Sequence, residues 1–262
     1  MYNSDKVKIF IGSGGQADEK ALKIYLYTLH KNTDAELDIT VMTPDNMGEW
    51  NRSTWGTPFT CYRYAVPHLM GYKGRAIYTD VDMINYRDIS ALYNTDLNGK
   101  AFGMVWDELQ DNGKRGRDAG YPRGFWCDSV MLIDCEKAKD FVEPIEKVQA
   151  WDKNFSYKWD VMRRLGSPHK EKTLELVQEL DPRWNSFDGS DAASGTVEKG
   201  KVDGITFGDK VQFDKDNIWQ LHLTALSYQP WHPKYTPHAK ATHPRQDLME
   251  DWWRLAKIVN SL

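Results

Sequence analysis

Short apolar runs rich in β-branched residues alternate with helical segments along the first half of the chain. The runs at residues 7–12, 38–43 and 75–79 have the composition of β-strands. Between the first two, residues 18–31 carry apolar side chains at the spacing of one helix face. Further strands are predicted at residues 101–106, 130–134 and 218–224. Strands that alternate with helices favour an α/β fold with a mainly parallel central sheet, covered by helices on both faces.

A second helix is predicted just after residue 57. Thr57 is a favoured N-cap residue, and Pro58 is favoured in the first helical turn. We expect this helix to run through Arg63. It should end or bend at Pro67, because proline lacks the N–H that a helix interior needs.

The C-terminal third has a less regular pattern. Residues 185–216 are rich in Gly, Asp, Ser and Lys, and they predict loops or a hairpin. The last helix is clear, because a single apolar stripe contains Leu248, Trp252, Leu255, Ala256 and Val259. We expect this stripe to dock onto the rest of the protein. Since no repeat or linker interrupts the chain, we expect one domain over residues 1–262 with a smaller, irregular C-terminal part.

The composition excludes several classes of protein. Hydrophobic residues make up 40% and charged residues 27% of the chain, which is typical of a globular protein rather than a disordered one. The net charge is -4 and no dense basic stripe is present, so a nucleic-acid partner is not expected. The chain contains 11 tryptophans, which suit either core packing or platforms for sugar rings.

Cysteine usage and hydropathy indicate the compartment. Cys61, Cys127 and Cys135 form no CxxC pair, which favours reduced, intracellular thiols over a disulfide scaffold. No apolar run approaches the roughly 20 residues that span a bilayer, and the N-terminus lacks a signal-peptide core. We therefore expect no transmembrane segment and a cytoplasmic location, with peripheral contact at a membrane surface left open.

The strand predicted at residues 75–79 runs directly into Asp80-Val81-Asp82. Residues i and i+2 of an extended segment project to the same side, so both carboxylates can reach one cation. Oxygen ligands suit Mg2+ or Mn2+, and ligands of open α/β sheets bind beyond the carboxyl ends of the strands. The alternative is a surface turn with helix-capping acids. A second Asp-x-Asp at residues 214–216 follows no apolar strand and indicates a solvated loop.

A phosphohydrolase with an aspartate nucleophile would also place acidic residues after a strand and use Mg2+. That design normally has its aspartates after the first strand of the sheet. Here the first strand ends in Gly12-Ser13-Gly14-Gly15 instead. This interpretation is therefore disfavoured.

A longer run around the acidic pair resembles a known enzyme family. In residues 63–84, an Arg-aromatic-x-x-Pro segment precedes the strand that leads into Asp-x-Asp, as in the glycogenin-like, retaining galactosyltransferase-type glycosyltransferases. Residues 9–12 (IFIG) are similar to the first nucleotide-contacting strand of that family. Downstream, the segments 222–224 (HLT) and 229–231 (QPW) resemble its His-x-x-Gly-x-x-Lys-Pro-Trp element. Further similarities at residues 129–134, 159–161 and 184–185 keep the order of the family.

The resemblance implies a GT-A fold and a metal-dependent active site. It implies that Asp80, Asp82 and His222 ligate Mn2+ or Mg2+ beneath the diphosphate of a nucleotide-sugar, and nitrogen ligation favours Mn2+ slightly. It also implies that Arg63 orders the aspartates or contacts the donor sugar; a surface salt bridge is the alternative. The other residues expected to contact the donor are Phe10, Ile11, Gly12, Val81, Gln229 and Trp231.

Two departures from the family pattern concern the donor and acceptor pockets. Gln229 stands in place of the lysine that grips the diphosphate, so this role can fall to His232, Lys234 or another base. The family's Asn-Ser-Gly reads Cys-Asp-Ser here, which puts Asp128 where it can face the acceptor or the sugar hydroxyls. Asp128 and Asp160 are therefore the candidate catalytic carboxylates, with loop-capping or helix-capping acids as the alternative.

The resemblance implies transfer of a hexose from a nucleotide-sugar, UDP-hexose above all, to an acceptor hydroxyl of a glycan, lipid or other molecule. Retention of the anomeric configuration is expected from the family. Residues 1–110 are expected to form the donor-nucleotide half, and residues 111–262 the acceptor half with the metal-closing segment. The alternatives are a sugar nucleotidyltransferase and a non-catalytic carbohydrate-binding protein. The first usually has basic residues near an early Gly-rich loop, and the second would use the tryptophans without a nucleotide or metal.

Overall fold

The computed structural model describes residues 6–52, 57–107, 125–150, 174–188, 215–223, 229–231 and 245–261. Three residues named above, Asp160, His232 and Lys234, lie outside these described residues. The second Asp-x-Asp segment and residues 159–161 also fall outside them in whole or in part.

The described strands form a large central sheet and a smaller one. They are β1 (Lys6–Gly12), β2 (Glu36–Met42), β3 (Arg75–Asp80), β4 (Met83–Asn85), β5 (Phe102–Asp107), β6 (Phe125–Asp134), β7 (Val177–Glu179), β8 (Ser186–Phe187) and β9 (Gln220–His222). The central sheet has six strands in the order β2-β1-β3-β6-β5-β7. All its neighbouring strands pair in parallel except at β6, which is antiparallel to both β3 and β5. The predicted mainly parallel α/β sheet is confirmed, with one reversed strand.

The described helices pack around this sheet. They are α1 (Glu19–Lys31), α2 (Val66–Leu69), α3 (Ile89–Tyr93), α4 (Cys135–Ala138), α5 (Ile145–Ala150) and α6 (Gln246–Val259), with 3-10 turns at Gly15–Asp18, Thr60–Ala65, Pro182–Asn185 and Lys215–Asn217. The predicted apolar face of α1 is buried, as is the predicted stripe of α6 apart from the half-buried Val259. The two helices pack against each other, which confirms that α6 docks onto the protein. Every helix in the described part of the chain is too short or too polar to cross a bilayer.

The helix predicted after Thr57 takes a different form. The turn that carries Arg63 is a 3-10 helix that begins at Thr60, and its N-cap position is Phe59. Pro67 lies in the first turn of α2 instead of ending a helix. Proline fits there because first-turn N–H groups have no helical partner and its fixed φ suits the helix. The predictions for Thr57 and Pro67 were therefore wrong.

The smaller sheet has three strands in the order β4-β9-β8. β9 is shorter than the predicted strand at residues 218–224. β8 lies in the segment predicted to form loops or a hairpin, and it pairs in parallel with β9. β4 is antiparallel to β9, and Met83 is the register partner of His222. This sheet brings the C-terminal part of the chain to the residues that follow β3.

Cysteines and most described tryptophans belong to the interior. Cys61, Cys127 and Cys135 are buried thiols that form no disulfide. The buried tryptophans that pack in the hydrophobic core are Trp50, Trp126, Trp184, Trp231 and Trp252. Core packing, rather than exposed sugar platforms, therefore accounts for most of the tryptophans that the structure describes.

Candidate active site

The acidic pair lies at the carboxyl end of β3, beside the end of β1. Asp80 is the last residue of β3 and the register partner of Gly12 on the neighbouring parallel strand. Asp80 is 8% exposed and Asp82 is 7% exposed. An exposed surface turn does not fit such burial, because buried carboxylates need partners or a cation.

Asp80 is held by an arginine and a tyrosine. Arg63 Nη2 donates to Asp80 Oδ1 over 2.8 Å and to Oδ2 over 3.0 Å. The hydroxyl of Tyr78 donates to Asp80 Oδ1 over 2.6 Å. Tyr78 and Asp80 are two residues apart on β3, so strand alternation puts both side chains on the same face.

The same arginine also binds Asp128. Arg63 Nη1 forms an ion pair with Asp128 Oδ1, and the hydroxyl of Tyr64 donates to Asp128 Oδ2 over 2.8 Å. Arg63 is 4% exposed, so it is a buried bridge between two carboxylates and not a surface salt bridge. Asp128, on β6, is more accessible, since 16% of its side chain is exposed. One buried guanidinium thus fixes two acids that the sequence places far apart.

Burial and neighbouring charges change the acidity of this site. Removal from water raises the pKa of Asp80 to about 6, against the opposing effect of Arg63 and with a further increase from Asp82. Burial alone would lower the pKa of His222, but the carboxylates of Asp82 and Asp80 outweigh it, and the pKa is raised. A buried carboxyl with a raised pKa, such as Asp80, lies where a cation would stabilise the ionised form.

Asp82 is linked to two C-terminal segments. Gln229 Nε2 donates to Asp82 Oδ2 over 3.0 Å, and the backbone N–H of Leu223 donates to the Asp82 carbonyl over 2.9 Å. Asp82 Oδ1 is buried and accepts no hydrogen bond from the described residues. His222 Nε2 lies 3.3 Å from this oxygen, although the two atoms are not aligned for a hydrogen bond.

His222 is oriented by a chain of two polar side chains. Asn185 Nδ2 donates to Ser129 Oγ over 2.9 Å, which turns Asn185 Oδ1 towards His222 Nδ1 at 3.1 Å. Because an amide oxygen only accepts, this arrangement keeps the proton of the neutral imidazole on Nδ1 and the lone pair on Nε2, on the side of Asp82. Metal-binding histidines usually donate their second ring N–H to such a partner. The ring of Phe187 packs against the imidazole at a centroid distance of 5.2 Å.

These residues fit a divalent cation. One ligand atom from each of Asp80, Asp82 and His222 lies within 4.8 Å of the other two, and all three residues are buried. The unpaired Asp82 Oδ1 and the lone pair of His222 Nε2 face the same space. Two carboxylates and one imidazole are a donor set that suits Mn2+. Mg2+ also fits, although its usual sites contain fewer nitrogen ligands.

The other residues predicted at the site lie nearby but play different parts. The side chains of Phe10, Ile11 and Val81 are buried in the hydrophobic core, so contacts with a donor would use their backbone. At Gly12, an added Cβ would lie 2.3 Å from the Tyr78 hydroxyl, and glycine thus keeps space for Tyr78. Trp231 Nε1 donates to Asp18 Oδ1 over 3.4 Å, and its ring stacks on Trp252.

Sequence reasoning missed four residues that support the site. Tyr78 could have been found from its i-2 spacing to Asp80, and Tyr64 from its position next to Arg63. Asn185 and Ser129 have no local signal that connects them with His222. Their hydrogen bonds depend on the packing of β6 against the turn before β8.

The chain combines a mainly parallel sheet, an acidic pair at the end of β3 and a histidine from β9, and its fold is that of solved glycosyltransferases with a GT-A fold. Solved structures of this class match over almost the whole chain. The galactosyltransferase LgtC, in complex with donor and acceptor sugar analogs, has a TM-score of 0.57 and 14% identity, covering 96% of this chain and 95% of that chain. The glycosyltransferase GlyE of Streptococcus pneumoniae TIGR4 has a TM-score of 0.54 and 14% identity, covering 98% of this chain and 63% of that one. These likenesses establish the fold.

The family follows from the sequence itself. Residues 31–196, more than half of the chain, match the model of Glycosyl transferase family 8. The chain therefore belongs to Glycosyl transferase family 8 and is a glycosyltransferase. The bifunctional glycosyltransferase WbbM has a TM-score of 0.57 and 11% identity, covering 96% of this chain and 52% of that chain. No curated protein sequence matches the chain.

Proposed function

We propose that this glycosyltransferase is metal-dependent and moves a hexose from UDP-hexose to an acceptor hydroxyl with retention of the anomeric configuration. The observation that carries the proposal is the meeting of Asp80, Asp82 and His222 in one buried cluster. Arg63 pairs with Asp80 and Asp128. Together with Asp82 the site has three acids for this one guanidinium, an excess of negative charge that a divalent cation would balance.

Asp80, Asp82 and His222 would hold the cation. When bound, Mn2+ or Mg2+ supplies positive charge that stabilises the leaving diphosphate. Arg63 fixes the carboxylate of Asp80 by hydrogen bonds to both of its oxygens. The donor nucleotide is assigned to residues 1–110, where the ends of β1 and β3 lie side by side.

Asp128 is the carboxylate best placed to contact the donor sugar or the acceptor. Its side chain is partly exposed, and Arg63 and Tyr64 hold both of its oxygens. A carboxylate fixed in this way can accept hydrogen bonds from sugar hydroxyls with little loss of conformational entropy. Asp160 remains a predicted partner for the same role, and residues 111–262 are assigned to the acceptor, which is a glycan, a lipid or another hydroxyl compound.

The choice of UDP-hexose and of retention rests on the family resemblance. LgtC, whose structure was solved with donor and acceptor sugar analogs, supports a site that holds two sugars. Without a protein nucleophile, retention requires the acceptor to attack from the face that the diphosphate leaves. The resemblance to the glycogenin-like family implies that the leaving phosphate then helps to deprotonate the acceptor hydroxyl.

The test is a thermal-shift screen of UDP-, GDP- and CDP-hexoses with and without Mn2+, followed by product analysis. We expect the largest increase in Tm with UDP-hexose and Mn2+, and its loss with EDTA. NMR of the product should show the anomeric configuration of the donor. Release of pyrophosphate from a nucleoside triphosphate and a sugar phosphate would favour a nucleotidyltransferase. Stabilisation by free sugars that ignores EDTA would favour carbohydrate binding without catalysis.

A further inference from the structure

The side-chain amide of Gln229 is fully used within the protein. Nε2 donates to Asp82 Oδ2 over 3.0 Å and to the carbonyl of Leu223 over 3.0 Å. Gln229 is 6% exposed. An NH2 group has two hydrogens, so both donors are engaged before any ligand binds. The resemblance places a diphosphate-binding lysine at this position, but the geometry directs Gln229 to a different partner.

The two hydrogen bonds determine which oxygen of Asp82 is available. Gln229 occupies Oδ2, and Oδ1 is left buried with no hydrogen bond from the described residues. Because Leu223 N–H also binds the carbonyl of Asp82, both the side chain and the backbone of Asp82 are linked to the chain that carries His222. The carboxylate therefore cannot rotate without breaking a buried hydrogen bond.

The chemistry of an amide matters at this position. A neutral amide can orient a carboxylate without cancelling its charge. A lysine ammonium at the same place would pair with Asp82 and reduce its attraction for a cation a few ångströms away. The replacement of the family's lysine thus preserves the full negative charge of Asp82.

We infer that Gln229 is a positioning residue for the cation site: it fixes Asp82 with Oδ1 towards His222 and acts on metal binding rather than on the diphosphate. This inference rests on the proposed metal dependence. Partners that orient metal ligands typically change metal affinity by about 10- to 100-fold when they are lost.

The experiment measures Mn2+ affinity of the full chain without nucleotide, by isothermal titration calorimetry and by the EPR signal of free Mn2+. Gln229→Met keeps the size of the side chain and removes both donors, and we expect it to weaken Mn2+ binding roughly tenfold. Gln229→Lys keeps a donor and adds a charge, and it should weaken Mn2+ binding at least as much. UDP affinity at saturating Mn2+ should change far less in Gln229→Met.

Asn32→Ala is the matched control. Like Gln229, the amide of Asn32 donates two hydrogen bonds, but it donates them to the backbone carbonyls of Thr28 and Asn85 and to no proposed metal ligand. This variant should lose stability and keep the Mn2+ affinity of the wild type. A loss of Mn2+ affinity in Asn32→Ala equal to that in Gln229→Met would mean that general destabilisation is responsible, and the inference would be wrong.

Two further outcomes separate this inference from the proposed function. If the wild type binds no Mn2+, the proposed metal dependence fails and the role of Gln229 fails with it. If the wild type binds Mn2+ and Gln229→Met binds it equally well, the metal site stands and only the role of Gln229 is overturned. Tighter binding of UDP by Gln229→Lys would assign the residue to the diphosphate instead.

Discussion

His222 Nε2 lies 3.3 Å from Asp82 Oδ1, and this buried oxygen accepts no hydrogen bond from the described residues. The pairing of β4 with β9 brings the two residues together, because Met83 and His222 are register partners. Asn185 holds the opposite ring nitrogen, so the imidazole cannot turn this lone pair away. A cation between the two atoms would satisfy both.

Replacing His222 with Ala should weaken Mn2+ binding by about one to two powers of ten, because one of the three proposed ligands is lost. The affinity can be measured by calorimetry without nucleotide. His68→Ala is the control, since His68 is exposed on α2 and is not one of the three clustered ligand candidates. Equal Mn2+ affinities in the wild type and His222→Ala would exclude His222 as a ligand.

The two aspartates should differ in what they contribute to stability without metal. Asp80→Ala leaves the buried Arg63 with Asp128 as its remaining acidic partner, so we expect the free energy of unfolding to fall by roughly 3 kcal/mol. Asp82→Ala removes the acceptor of Gln229 but also a buried carboxylate oxygen that accepts no hydrogen bond from the described residues; these effects partly offset each other, so it should cost about 1 kcal/mol. Urea denaturation in EDTA measures both values. Both variants should nevertheless lose Mn2+ binding and transfer, and near-native activity in both would contradict the assignment.

Asn185→Ala should change the tautomer of His222. Without Asn185 Oδ1, nothing described holds the proton on Nδ1, and the population with Nε2 protonated should rise. Nitrogen-15 NMR of the metal-free protein reports the tautomer directly, and Mn2+ affinity should fall roughly tenfold. Ser129→Ala should have the same effect to a smaller degree, because it loosens Asn185 instead of removing it. A neutral wild-type His222 with its proton on Nε2, observed above the pKa of the ring, would contradict this assignment.

The proposed ligands could be predicted because their sequence signals are either a short local motif or a series of motifs in the order found in the family. Acids at positions i and i+2 after a strand project to the same side of the extended segment, so the common direction of Asp80 and Asp82 does not depend on the rest of the fold. His222 needed the family resemblance, since its approach to Asp82 depends on the pairing of β4 with β9. The partner of Asp128 could not be predicted either, because a buried arginine that bridges two acids has the same sequence signal as a surface salt bridge.

The direction of β6 shows another limit of the sequence. Apolar runs have the same composition in parallel and antiparallel strands, so residues 130–134 predicted a strand but not its reversal. Pro67 shows a related ambiguity. Its fixed φ and missing N–H are compatible both with the first turn of a helix and with a helix end, and only the packing of α2 decides between them.

The stabilisation by Mn2+ should increase with pH. The pKa of Asp80 is raised to about 6, so in the metal-free protein this carboxyl favours the folded state at low pH, and its contribution is lost as the pH rises through about 6. The raised pKa of His222 has the same sign, because its contribution is also lost as the pH rises through the folded value. Metal binding needs both groups deprotonated.

We therefore expect a small increase in Tm with saturating Mn2+ at pH 5 and a larger one at pH 7.5. Differential scanning fluorimetry with and without Mn2+ across this range gives the difference directly. Asp82→Ala should show no Mn2+ effect at any pH, which controls for general effects of the ion. A larger Mn2+ effect at pH 5 than at pH 7.5 would contradict the assignment of these two ligands.

Gly12 and Tyr78 should be energetically coupled. A Cβ at residue 12 would lie 2.3 Å from the Tyr78 hydroxyl, so Gly12→Ala should displace the hydroxyl from Asp80 and cost about 1–3 kcal/mol. Tyr78→Phe removes that oxygen and its hydrogen bond, at a cost of about 1–2 kcal/mol. In the double variant the main clash is gone, although contacts at 3.1 Å with Phe59 and with the Tyr78 ring carbon remain. Urea denaturation of all four proteins should therefore give a double variant less destabilised than the sum of the single changes by about 1 kcal/mol. Strict additivity would mean that the end of β1 adjusts without moving Tyr78, and that Gly12 does not keep space for the residue that holds Asp80.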